Sequence, residues 1–221
     1  MKKKLLALLL VSAASASTHA AVITLPTQTY WANSQTGVLL DEPNRTDWEG
    51  SFEVAQFDPS LGTLIEVSIS LWGEVGSIFQ VSSHNQGDRR ATLNAEGDIT
   101  TSLLGVSVSP FSNFTTPLIA PGTTYTSSMI TASDSMSTLF TSPADLASWI
   151  GSGIFSIAVS GWGNSFVSGA GNVSSQIDTW AHARLEVTYS YETPTTVPEP
   201  APLALLGIGL IGLVALGRRK A

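Results

Sequence analysis

The sequence contains no cysteine, which removes disulfide staples, thiolate metal ligands and thiol nucleophiles together. It has only three histidines, His19, His84 and His182, too few without cysteine to close a typical zinc site. Between residues 21 and 197 there is no lysine. The only cations there are Arg45, Arg89, Arg90 and Arg184, set against sixteen acidic residues for a formal net charge of −12. A segment so charged is repelled by phosphate backbones and anionic lipid, which excludes nucleic-acid binding. No G-x-S-x-G elbow, no D-x-[DN]-x-[DN]-G loop and no Gly-Asp nonapeptide repeat occurs, so the usual sequence marks of an α/β hydrolase or a calcium loop are missing.

What is present is concentrated first at the two ends. Residues 1–20 read as a secretory signal peptide. Lys2, Lys3 and Lys4 form the positive n-region, residues 5–11 form the apolar h-region, and small residues then place cleavage after Ala20, with a second option after Ala16. The apolar core of 7 residues is too short for a lasting anchor.

The C-terminal end has three blocks: Val197, Pro198, Glu199 and Pro200; an apolar run of 16 residues over 201–216; and Arg218, Arg219 and Lys220. At about 1.5 Å per residue the run reaches roughly 24 Å as a helix, against a hydrocarbon core of about 30 Å. The three cations stop it on the cytoplasmic side and put everything before it outside. The prolines at 198 and 200 keep the box extended, the shape a processing enzyme's cleft accepts. Residues 193–200 are therefore a linker with the box, 201–217 a transmembrane sorting helix, and 218–221 a basic cytoplasmic tail.

A VPEP box, a short glycine-containing apolar helix and a terminal basic cluster, in that order over residues 197–221, resemble the PEP-CTERM sorting signal of Gram-negative bacteria. The resemblance implies signal peptidase and an exosortase, a membrane protease-transpeptidase, as processing partners. It implies an inner-membrane intermediate, cleavage near the box, and release or transfer of the ectodomain to the cell surface or extracellular matrix. The competing reading is a plain tail anchor, against which the short run and the box both speak.

Residues 21–192 read as one all-β domain, a jelly-roll or immunoglobulin-like sandwich with one short helix. Apolar and polar residues alternate over residues 61–72, 153–159 and 183–191. Turn signals at Asp58-Pro59, residues 85–88, Glu96-Gly97-Asp98, Pro121-Gly122 and residues 169–172 separate the runs. The helix is expected from Ser142 as N-cap, Pro143 at its first position and Asp145 at its third, with Leu146, Trp149 and Ile150 on one face and Gly151 as the stop. Residues 57–64 with the strand after them, residues 145–153 and residues 183–191, taken in order, resemble the bacterial choice-of-anchor E domain over residues 48–191. That resemblance implies a secreted surface domain without catalytic residues to carry over.

The candidates for chemistry are few. His84 lies in a polar turn and His182 on a strand. A Ser-His-Asp triad needs a positioned serine at a tight turn and a carboxylate behind the imidazole, and the many serines of this chain make chance combinations of these residue types abundant. No catalytic residue is therefore assigned, and no enzyme activity or cofactor is expected. Glu96, Asp98, Asp41, Glu42, Asp47 and Glu49 offer oxygen ligands of the kind calcium takes, but solvated carboxylates are the commoner state of acids on an exported domain, so no metal is assigned. All six tryptophans fall in the mature part. Trp72 and Trp149 read as core. Trp31, beside Asn33, and Trp162, between Gly161 and Gly163, read as exposed rings able to stack on sugars. The expected function is a non-enzymatic cell-surface or matrix protein, structural or adhesive in the envelope or exopolysaccharide layer. The alternatives are a carbohydrate-binding module, with extracellular polysaccharide as partner, and a secreted hydrolase.

Overall fold

Alternation of inward apolar and outward polar residues runs through much of the long strands, broken by a register shift at Ser190/Tyr191, and gives two sheets with their apolar faces together. The computed structural model describes residues 20–32, 46–84, 86–102, 104–169 and 171–194, and the signal peptide and sorting helix lie outside them. The strands are β1 (Val22–Thr24), β2 (Gln28–Ala32), β3 (Trp48–Ala55), β4 (Thr63–Ser83), β5 (Ala91–Thr101), β6 (Ser107–Val108), β7 (Phe111–Thr115), β8 (Thr124–Thr126), β9 (Ile130–Phe140), β10 (Ile154–Gly169) and β11 (Val173–Glu192). Residues 22–192 form one compact unit.

All ladders are antiparallel. In the first sheet β11 and β4 lie side by side, with β1 and β2 along the far side of β11 and β9 and β8 along the far side of β4. In the second sheet β3 pairs the first half of β10, β5 pairs its second half, and β6 and β7 flank β5. The apolar residues of the two inner faces form two buried clusters. The larger contains Phe52, Val54, Val67, Leu71, Trp149, Ile157, Leu185 and Tyr189. The smaller is built on Phe79, Val81, Leu93 and Ile119. Ser77, Thr179 and Ser165 are linked through their hydroxyls in a polar belt, at 3.1 Å and 2.8 Å.

The two ends of this unit meet: Val22 pairs Glu192 in register. That end also holds Ala55 and Phe57, because Tyr189 donates its hydroxyl to the Ala55 carbonyl at 2.8 Å and the rings of Phe57 and Tyr191 are 5.3 Å apart. Since Ile154 pairs Ala55, β10 starts at the end where the chain leaves the domain and carries its later residues away from it. Trp162, eight residues on, lies about 26 Å up the strand.

The helix forms where expected but runs only from Pro143 to Leu146, followed by a 3-10 turn over Ala147–Trp149. Ser142 accepts the Asp145 N–H at 3.2 Å and donates its hydroxyl to Asp145 Oδ2 at 2.6 Å, the capping geometry its sequence implied. Leu146 and Trp149 are buried, whereas Ile150 is exposed and bridges to Phe57 instead of sharing the helix face. Two other expectations are corrected. Glu96-Gly97-Asp98 is not a turn but lies within β5, where Gly97 faces inward and a Cβ there would press on Pro110 and Val75. Trp72 is not between the sheets: it sits on an even position of β4 and points outward with Glu74, opposite the inward set Leu71, Val75 and Phe79.

Candidate functional site

Period-two alternation along β10 sends Ile157, Val159 and Gly161 inward, so Trp162, Asn164 and Phe166 share the outer face of the second sheet. Trp162 and Phe166 are each 53% exposed and Phe111 on β7 is 56% exposed. Register places Asp98 beside Trp162, Glu96 between Asn164 and Phe111, and Asn94 between Phe166 and Asn113. Aromatic rings and amide or carboxylate groups thus interleave on one rigid face. Asn113 donates to Asn94 at 2.6 Å, and Ser109 donates to Asp98 at 3.4 Å. An open cleft of about 490 Å³ at the Trp162 end is lined by Asp47, Glu96, Asp98, Ser109 and Asn164.

The glycines beside Trp162 are required from below. Trp48 pairs Gly161 across the strands and packs its indole where a Cβ at 161 would be, 2.6 Å away, and a Cβ at 163 would collide with the Thr46 side chain. The inward face is therefore filled by Trp48 while Trp162 is held on the outside. Asp47 stands in the left-handed region at φ 65° and accepts the Gly163 N–H at 3.2 Å, which fixes its carboxylate beside the same ring.

Trp31 has a different setting. On the outer face of the first sheet, Arg184 is flanked in register by Trp31 on β2 and Trp72 on β4. Its guanidinium carbon lies 5.6 Å and 5.1 Å from their ring centroids, within cation–π range. His182 completes the group, 5.5 Å and 5.4 Å from the same two rings, and is 0% exposed. Burial, and after it the Arg184 charge, pushes the His182 pKa below its ordinary value; burial pushes Glu74 up. His182 Nε2 is 3.4 Å from Glu74 Oε2, but neither ring nitrogen has a hydrogen-bond partner among the described residues. The imidazole is thus neutral at neutral pH, and the contact with Glu74 is not an ion pair. Trp31 is half-buried in this stack.

His84 is exposed, with Nε2 3.1 Å from Ser174 Oγ, and no carboxylate among the described residues reaches ion-pair distance of its ring. Among the described residues no group of three or more His, Asp or Glu side chains converges to hold a metal ion; Asp41 and Glu42 lie outside them. So do Val197, Pro198, Glu199, Pro200, Arg218, Arg219 and Lys220, while Ala20 is the first residue described. No described helix is long and apolar enough to cross a membrane. Phe166, Phe111 and the amides around them were not singled out from the sequence. The alternation of β10 would have found Phe166, four residues from Trp162 on the same face.

Residues 196–220 match the PEP-CTERM protein-sorting motif. The motif implies an exported protein processed at the membrane by an exosortase. No curated protein matches the sequence. Among solved structures the chain is similar to the infectious bursal disease virus VP2 subviral particle, at 13% identity and a TM-score of 0.22, covering 80% of this chain and 38% of that one. It is also similar to the T=1 particles derived from infectious bursal virus, at 13% identity and a TM-score of 0.15, covering 86% and 48%. The chain spans less than half the length of either, and likeness at that level bears on neither fold nor function.

Proposed function

We propose that the protein is a non-enzymatic component of the cell surface or extracellular matrix, structural or adhesive, delivered by the exosortase route. The sorting motif at residues 196–220 is the observation that carries this reading. The signal peptide read over residues 1–20 and the resemblance of residues 48–191 to the choice-of-anchor E domain support it from the sequence. The non-enzymatic reading is supported by His84 and His182: the first is exposed beside a serine without a carboxylate behind it among the described residues, and the second is closed away between tryptophans. Adhesion through a glycan is the second reading, favoured by the exposed rings of Trp162, Phe166 and Phe111 on one sheet face.

Replacing both Pro198 and Pro200 by alanine tests the route. The box then loses its enforced extended shape, and the full-length chain accumulates in the membrane fraction on an immunoblot. Unaltered processing of that variant would contradict exosortase recognition of the box.

A further inference from the structure

We infer that the outer face of the second sheet binds a polysaccharide bearing free amino groups, a de-N-acetylated hexosamine polymer in chemical class. Trp162 stacks on a sugar ring, and Asp98, Glu96 and Asp47 pair with its ammonium groups. This rests on the glycan-adhesion reading and narrows it to one kind of glycan.

The rings make the face a platform. Trp162 and Phe166, four residues apart on one strand, are separated by about 13 Å, a span that suits an oligosaccharide and not a single sugar. Phe111, two strands away in the row between them, broadens the surface. All three stand on ladder-bonded strands, and the base under Trp162 is closed by Trp48 against Gly161, so little ordering is needed on binding. Asn164 and the Asn94–Asn113 amide pair lie between the rings and can hydrogen-bond hydroxyls.

Charge selects the polymer. Among the described residues the cleft beside Trp162 is lined by three carboxylates and by no cation; Arg45, two residues before Asp47 in the sequence, lies outside them. The cation nearest along β5 is Arg90, just before the strand and eight residues from Asp98, about 26 Å. An anionic polymer is repelled here. A neutral one strips water from the carboxylates and gives them no counter-charge. A polymer with ammonium groups supplies both the ion pairs and a cation over an indole face. A second copy of this chain would set the same carboxylates against each other, which disfavours self-association through this face.

The processed protein purified from its host, titrated calorimetrically with soluble chitosan oligomers, N-acetylated chitin oligomers and alginate oligomers, tests this. The buffer is mildly acidic, to keep the chitosan amines protonated. Chitosan is expected to bind at least about tenfold more tightly than chitin, with alginate unbound. Trp162→Ala weakens chitosan about tenfold, and Asp98→Asn lowers it toward the chitin level. Trp31→Ala, on the other sheet, leaves it unchanged. Chitin bound as tightly as chitosan overturns the charge selection and leaves glycan adhesion standing. Alginate bound more tightly than chitosan overturns the charge selection too. No binding to any of the three by a protein with native circular dichroism overturns both. Chitosan binding that Trp162→Ala and Phe166→Ala leave intact overturns the placement on this face.

Discussion

The two outer faces of the sandwich both carry tryptophan at outward strand positions, yet one face is shut and the other open. On the first sheet Trp31 and Trp72 flank Arg184 in register and close over His182. On the second sheet Trp162 has a carboxylate, Asp98, as its cross-strand neighbour on one side, while β3 ends its pairing one residue before it on the other. An arginine between two indoles draws them down by cation–π attraction, whereas a short acidic neighbour leaves the ring in water. Residue type made both faces candidates for ligand contact, and the cross-strand neighbours separate them.

Substitutions sharpen that contrast. The largest effect belongs to the shut face: Trp72→Ala removes the packing of Trp31, Arg184 and His182 at once and costs about 3 kcal/mol in urea denaturation, near the lower end for a large aromatic. A comparably small loss at Trp72 and Trp162 would erase the distinction. Next is the floor of the open face, where Gly161→Ala drives a Cβ into the Trp48 indole and costs about 2 kcal/mol by overpacking. Trp162→Ala itself changes stability by no more than about 0.5 kcal/mol, while removing a large share of the tryptophan emission that acrylamide quenches.

The shut face should also respond to pH. The folded His182 takes up its proton only below its ordinary value of 6.5, whereas the unfolded chain takes it up near that value. Its contribution is therefore complete above about pH 6.5 and is lost as the pH falls through that value toward the lower folded pKa. Glu74 acts in the opposite sense. Its raised value lets the folded state take a proton before the unfolded state does, from above its ordinary 4.5, and part of the loss is then recovered. The urea midpoint should dip on acidification from pH 7, and His182→Gln should flatten that dip. A midpoint that fell identically in both proteins would assign the pH dependence to other groups.

The β architecture was legible because apolar alternation is a local signal: all but the first residue of 153–159 lies in β10, 183–191 lies in β11, and the capped turn at Ser142 stands where its residue types placed it. What escaped was long-range. Glu96-Gly97-Asp98 has the residues of a turn, but Gly97 is there to let Pro110 and Val75 close on the strand, a contact no local pattern carries. Trp72 ends an alternating run and so looked like core. Its parity on β4 puts it outside, and only the register with Arg184 explains why it is half-buried. Trp162 was legible through its flanking glycines, although the ring that requires Gly161 is Trp48, more than a hundred residues earlier in the chain.

The most direct measurement is the intact mass of the protein recovered separately from the membranes and the culture medium of its native host. Export by the exosortase route requires a species that begins near Ala21 and ends near Val197-Pro198-Glu199-Pro200, at the cell surface or in the medium. A membrane-held species that retains residues 201–221 and lacks only the signal peptide would contradict it.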